Sequence, residues 1–343
     1  MQLDARMLNA DRVSALVRHR LSAVFELFDN PEVTEVSINC GDEIWITKAG
    51  RRERAPQVRL TEVDISSAIR ELAGAMGQDA RPETPSAIVH AKLPGLRFAG
   101  VLGPTAGKGS ALSIRKHAKK VFTLDQYVAA GSIPAAAGQQ LRQWVREGKN
   151  MLVCGSTDTG KTTLLNALSR EIPGDERVLT IEEPRELQLV TPNWIPLEAN
   201  VQKALTPTLL VELCVRKSPD RILLGELKGP EAAAFLEAAN TGHHGCMASL
   251  HCNSAYDALA RLEVLTLRAG LDWPLAAIRQ QIASTIHVIV HMGKADGMRR
   301  LNEVALVRGY DAVTSRYDVE WIYRRADGAA SGQQGERASH EQH

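Results

Sequence analysis

The residues best suited to chemistry lie in the stretch 151–163, MLVCGSTDTGKTT, where a short apolar run enters Gly155, four further residues and then Gly160-Lys161-Thr162. Glycines at this spacing let the backbone curl so that consecutive amide hydrogens point inward at a phosphate. Lys161 adds a mobile positive charge for β- and γ-phosphates, and the Thr162 hydroxyl is placed to hold Mg²⁺. The following residues, Thr163 to Arg170, read as an amphipathic helix whose N-terminal amides and dipole also face the anion. Strand, loop and helix occur in the order a P-loop requires. Gly155, Ser156, Thr157, Asp158, Thr159, Gly160, Lys161, Thr162 and Thr163 are therefore the expected nucleotide contacts.

Three other stretches carry groups that such a loop could use. Glu182-Glu183 ends an apolar run about twenty residues past the lysine, with Glu186 nearby. A carboxylate there can orient or deprotonate an attacking water, and a second can help to hold hydrated Mg²⁺. Standing alone, the pair would read as a solvated acidic turn. Arg221 to Glu226, RILLGE, has the layout of a Walker B strand with Glu in place of the commoner Asp, and delivers Glu226 towards Mg²⁺ or its waters. The segment 240–253, NTGHHGCMASLHCN, surrounds His243-His244 with glycines and then brings His251 on a short strand; imidazoles beside a triphosphate can sense or stabilise its γ-phosphate. His243, His244, Cys246, His251 and Cys252 are also metal-ligand types, although their spacing is not that of a common zinc site. A purely structural histidine cluster is the remaining reading.

These groups must be positioned by a chain of 343 residues, long enough for about two domains that each bury a core. The sequence is 44% hydrophobic with a formal net charge of +1, which gives no electrostatic footprint for nucleic acid. No apolar run reaches about 18 residues, and the N-terminus lacks a signal-peptide layout, so a cytoplasmic protein is expected. Five scattered cysteines, Cys40, Cys154, Cys214, Cys246 and Cys252, fit reduced thiols rather than a disulfide framework.

Periodicity supplies the elements. Residues 7–28 have helical spacing, 33–47 alternate as two strands, 61–76 fit a helix, and 87–91, 95–102 and 110–115 read as strands. The expectation is an α+β N-terminal domain over 1–122. Residues 123–149 form a linker and a helix, Ala135 to Glu147, leading into the P-loop strand. From 150 to 326 strands and helices alternate: strands at 178–182, 221–225 and 246–250, helices at 206–216, 230–239 and 255–268, and a closing hairpin at 286–291 and 299–307. Such alternation argues for an α/β domain with a largely parallel sheet and its ligand at the carboxyl ends of the strands. Residues 327–343 lack any apolar period and are expected to be a disordered tail.

Taken in order, GSTDTGKTT, IEEPRELQ, SPDRILLGELKGPEA and TGHHGCMASLHCNSA resemble the Walker A, Asp box, Walker B and His box of the type II/IV secretion ATPase superfamily. The whole chain is most similar to the type IV secretion and conjugal-transfer ATPases of mating-pair formation. The resemblance spans roughly residues 32–309. It implies a RecA-like P-loop NTPase domain preceded by a smaller α+β domain, ATP and Mg²⁺ as ligands, and a homohexameric ring with nucleotide held between the two domains. It also implies a cytoplasmic motor docked at the inner membrane beside secretion or conjugation components, with peripheral membrane contact and no sequence-specific binding of nucleic acid. Carried over residue by residue, Glu182 is the catalytic base, Glu226 the Walker B carboxylate that helps to hold Mg²⁺ with Thr162, partly through water, and Glu183 a neighbour of the metal shell. His251 and His243 are the box histidines, and Arg97 and Arg115 are arginines reaching the phosphates from the N-terminal domain.

Two positions depart from the family pattern. Asp158 stands where glycine is usual and brings a carboxylate towards a triphosphate, a repulsion on the order of a kcal/mol unless the side chain turns outward or meets a base. Glu183 replaces the usual Asp. A motor ATPase is the first expectation. Alternatives are a nucleotide-gated ring subunit with little turnover, a small-molecule kinase and a DNA-stimulated helicase.

Overall fold

A computed structural model describes residues 12–48, 50–116, 121–200, 204–295 and 298–325. The chain divides into two compact units, Met1–Lys119 and Lys120–His343. Among the described residues no helix is long and apolar enough to cross a membrane.

The first unit opens with helical residues 12–20 (α1) and Ser22–Leu27 (α2). The single helix expected over 7–28 is interrupted at Leu21, whose backbone (φ −106°, ψ 30°) is not helical; residues 7–11 lie outside the described ones. Then come β1 (Val33–Cys40), β2 (Glu43–Lys48), β3 (Arg51–Arg54), α3 (Glu62–Ala75), β4 (Ile88–Leu93), β5 (Leu96–Val101) and β6 (Ala111–Lys116). Helix α3 starts where Thr61 and Asp64 form a reciprocal capping box, which satisfies two amides that the first turn would leave bare. The six strands form one sheet in the order β3-β2-β1-β6-β5-β4. Alternation sends Leu96, Phe98, Leu112 and Ile114 into a core shared with Ile65, Ile69 and Leu72 of α3, and leaves Arg97 and Arg115 on the opposite face.

The second unit contains α4 (Leu124–Ala129), α5 (Ala135–Arg146), β7 (Met151–Gly155), α6 (Lys161–Ser169), β8 (Val178–Glu182), β9 (Trp194–Glu198), α7 (Pro207–Val215), β10 (Arg221–Leu227), α8 (Glu231–Asn240), β11 (Met247–Leu250), α9 (Ala255–Leu267), α10 (Leu275–Thr285), β12 (Val288–Ala295), β13 (Met298–Asp311) and β14 (Arg316–Arg324). Helices α4 and α5 belong to this unit rather than to a linker, because Leu124, Tyr127, Leu141 and Val145 share a core with Met151 and Val153 of β7. Its eight strands run β14-β13-β12-β7-β11-β10-β8-β9. From β12 to β9 every pairing is parallel, and β13 and β14 add antiparallel neighbours at one edge.

Apart from the edge strand β9, the parallel strands are buried on both faces, which is why they read as continuous apolar runs. In β7, Met151 and Val153 face one core while Leu152 and Cys154 face the other. The P-loop leaves the carboxyl end of β7 at the middle of this sheet, flanked by β11 and β12. Tail residues 327–343 lie outside the described residues.

Candidate functional site

The loop after β7 has a backbone that side chains would obstruct. Gly155 has φ +152°, and a Cβ there would stand 2.3 Å from the Met292 carbonyl oxygen and 2.6 Å from Thr159 Oγ1. Gly160 takes φ +90° as the N-cap of α6. Asp158, at φ +61°, is also left-handed. That explains the usual glycine at this position, since a non-glycine residue there pays about 1 kcal/mol, and Asp is among the few that tolerate it. Helix α6 begins at Lys161 rather than at Thr163, so Lys161 and Thr162 lie in its first turn, where free amides and the helix dipole favour an anion.

Lys161 is buried, and its Nζ donates to the Ser156 carbonyl at 3.0 Å; Thr159 Oγ1 donates to the same carbonyl at 2.9 Å. Burial lowers the Lys161 pKa, opposed chiefly by the charge of Glu226. His251 stands between these two groups. Its Nε2 is 2.8 Å from Glu226 Oε1, and its Nδ1 is 3.2 Å from Lys161 Nζ. An ammonium only donates and a carboxylate only accepts, so a neutral ring with its proton on Nε2 satisfies both. Burial, reinforced by the Lys161 charge, lowers the His251 pKa and favours that neutral form. Lys228, which the sequence reading did not single out, adds an ammonium 3.3 Å from Glu226 Oε2.

Glu182 ends β8 one strand away. Its Oε1 accepts the amides of Glu186 at 2.8 Å and Leu187 at 2.9 Å. A Cβ built on Gly225 would meet Glu182 Cγ at 2.9 Å, so only glycine before Glu226 lets this side chain lie against the end of β10. Ser249 Oγ donates to the Gly225 carbonyl and ties β11 to the same point. Glu183 follows as an exposed residue.

The structure thus brings together Lys161, Glu226 and His251, with Glu182 beside the same strand ends. It does not bring His243 to them. His243 precedes β11, whereas His251 follows it and the P-loop follows the parallel strand β7; the length of β11 alone, about 10 Å, separates the two ends. His243 therefore lies at the opposite end of β11 from His251. Its neighbour His244 packs at Gly148, and Gly245 packs at the buried Arg221, at the amino ends of the strands. Cys246 Sγ donates to the His243 carbonyl at 3.5 Å and Cys252 Sγ to the Ser254 carbonyl at 3.0 Å, and among the described residues no group of three or more His, Cys, Asp or Glu is arranged to hold a metal. All five cysteines are free thiols.

Arg97 and Arg115 are direct cross-strand partners in the first unit, with Lys92 beyond Arg97 and Glu35 beyond Arg115. The family resemblance points to each arginine separately, whereas their juxtaposition depends on the β5–β6 register. Asn150 was missed altogether: its Nδ2 donates to the carbonyls of Thr285 (2.8 Å) and Ala239 (3.3 Å), and its Oδ1 accepts the Cys246 amide (2.9 Å). One asparagine before a strand leaves no sequence signal of this kind.

The family profile for type II/IV secretion system proteins matches residues 19–295. The chain belongs to that family. It is 31% identical over 287 residues to the conjugal transfer protein TrbB of Rhizobium radiobacter, covering 82% of this chain and 86% of the relative. The type IV secretion system protein VirB11 of Brucella suis is 32% identical over 339 residues, covering 88% and 92%. Within the family, the chain is of the type IV and conjugal-transfer kind. Among solved structures, the pilus retraction motor PilT with bound ADP has a TM-score of 0.59 at 18% identity, over 85% of this chain and 84% of that one. The Legionella pneumophila ATPase DotB has a TM-score of 0.58 at 18% identity, over 89% and 80%. At those identities the likeness concerns the fold, an α/β two-domain ATPase fold.

Proposed function

We propose that the chain hydrolyses ATP and that this powers a type IV secretion or conjugal-transfer machine. The observation that carries the reading is the contact of Lys161, His251 and Glu226, which joins the Walker A, His box and Walker B segments into one charged cluster at the carboxyl ends of parallel strands.

The residues fit a Mg²⁺-nucleotide. The loop backbone takes positive φ at Gly155, Asp158 and Gly160, and Gly155 has no room for a Cβ. Lys161 and the first-turn amides of α6 would hold the β- and γ-phosphates, while Thr162 and Glu226 would hold Mg²⁺, partly through water. Bound Mg²⁺ would neutralise charge on the phosphate oxygens. Glu182 is the base that orients the attacking water, with Oε1 fixed by two main-chain amides. His251, neutral and hydrogen-bonded to Glu226, reads the charge around the γ-phosphate; a phosphate that draws Lys161 away also releases the ring, which links nucleotide state to the end of β11. Glu183, exposed next to Glu182, is the neighbour of the metal shell in this reading. Arg97 and Arg115 form a paired basic site on the N-terminal unit.

The assembly we propose is a homohexamer working in the cytoplasm at the inner membrane beside other components of the machine. The nearest competing activity is phosphoryl transfer to a small acceptor. Incubation with Mg-ATP, followed by separation of products and mass measurement in solution, tests the reading. Free phosphate and ADP from a hexamer support it; a phosphorylated acceptor, or a monomer with full turnover, contradicts it.

A further inference from the structure

Arg299 reaches the P-loop from the neighbouring hairpin. Its Nε–H donates to the Asp158 carbonyl at 3.1 Å. A Cβ built on Gly160 would stand 3.0 Å from Arg299 Cδ and 3.8 Å from Nη1, so the arginine stem lies along the loop's second glycine. The anchor for this side chain is firm. Arg299 pairs with Lys294 across β12 and β13, Arg300 Nη1 donates to the Gly131 carbonyl at 3.0 Å, and the Leu301 amide donates to the Ser132 carbonyl at 2.8 Å. Strand β12 is itself the neighbour of β7, with Met292 opposite Gly155. One hairpin therefore touches the loop at both of its glycines, through the Met292 carbonyl and through Arg299.

This contact falls on the residue that departs from the family pattern. Asp158 holds a left-handed conformation, and its carboxylate is the least of the charges that oppose the lowering of the Lys161 pKa by burial. An arginine bonded to that peptide fixes the left-handed turn and brings a permanent positive charge to the place where a carboxylate would otherwise oppose a phosphate.

We infer that Arg299 is a positioning residue for the nucleotide site, holding the Asp158 peptide so that the loop amides face the phosphates and offsetting the Asp158 charge. The inference rests on reading the loop as a nucleotide site. Arg299 acts through Asp158 and touches no reacting atom.

The test is a double-mutant cycle with ADP carrying an N-methylanthraniloyl label, using the full chain as wild type, Arg299→Ala, Asp158→Gly and the double variant, with Arg299→Lys beside them. Losing a charge-assisted hydrogen bond to the loop predicts about a tenfold rise in Kd for Arg299→Ala. The KM for ATP rises in parallel while kcat changes by less than about threefold, since no transition-state contact is removed. Arg299→Lys recovers part of the affinity through its charge. In the Asp158→Gly background, glycine needs no support at a positive φ and the carboxylate is gone, so Arg299→Ala costs about threefold or less. Labelled-ADP affinity unchanged in Arg299→Ala, or an equal loss in both backgrounds, overturns the inference while leaving the nucleotide reading intact. A wild-type protein that binds no labelled ADP overturns that reading and this inference with it. Urea midpoints of Arg299→Ala and Arg299→Lys, expected to match wild type because Arg299 is exposed, show that the change is local.

Discussion

His251 Nε2 stands 2.8 Å from Glu226 Oε1, a hydrogen bond between the His box and the Walker B strand. On its other side the ring accepts from Lys161 Nζ. The imidazole thus spaces a lysine and a carboxylate that would otherwise pair directly and withdraw both from a nucleotide.

Replacing the ring should therefore affect turnover more than binding. His251→Ala is expected to lower kcat by about ten- to a hundredfold, in the range found for removing a preorganised polar group, with ADP affinity within about threefold of wild type. Steady-state phosphate release and nucleotide titration of the same preparation measure both. An unchanged kcat would show that the contact is structural only.

Acid should weaken both activity and stability. Burial lowers the pKa of His251, His287 and His291 relative to the unfolded chain. Between the folded and unfolded values the unfolded state binds more protons, so these groups contribute stability that is complete above about 6.5 and is lost as pH falls through their folded values. The urea midpoint is expected to decline on going from pH 7 to pH 5. Activity should decline as well, because protonated His251 cannot accept from Lys161. His251→Gln should flatten the acid limb of the activity profile if that ring is responsible.

Glu182 offers a sharper separation of roles. A glutamine oxygen can still accept the amides of Glu186 and Leu187, so Glu182→Gln should keep the turn and the nucleotide affinity. Loss of the basic group predicts a fall in phosphate release of roughly a hundredfold or more. Undiminished release would confine Glu182 to holding the 183–187 turn.

Gly245→Ala probes the far end of the sheet. The glycine has φ +72°, and a Cβ there would stand 2.4 Å from Nη1 of the buried Arg221, whose guanidinium binds Glu176 and the Val145 carbonyl. Strain together with disruption of a buried charge pair should cost on the order of 3 kcal/mol, visible as a lower urea midpoint.

The chemistry of the site was the most legible part of the sequence. Lys161, Glu226 and His251 each end or follow a strand, and strand ends in a parallel sheet converge by topology, so linear motifs predicted a spatial cluster. His243 lies apart from that cluster because it precedes its strand, and no linear motif reports which end of a strand a residue occupies until the strand direction is known. The elements missed also have physical causes. Strand β9 contains Pro196, which cannot donate to a ladder and is tolerated because β9 is an edge strand. Helix α10 follows Trp273-Pro274 without a side-chain cap, and thus without the signal that Thr61, Thr123, Thr206 and Ser254 give at other helix starts. The hold of Arg299 on the P-loop arises from strand order alone, since β12 lies beside β7 in space and β13 beside β12, although Arg299 is 141 residues beyond Asp158 in sequence.

Phosphate release from Mg-ATP by the wild-type protein, measured beside Lys161→Ala at equal concentration, tests most directly that this cluster is an ATP-hydrolysing site. Steady release by wild type, abolished by Lys161→Ala, is the expected result. Wild-type protein that binds ATP without releasing phosphate, or release that survives Lys161→Ala, would contradict it.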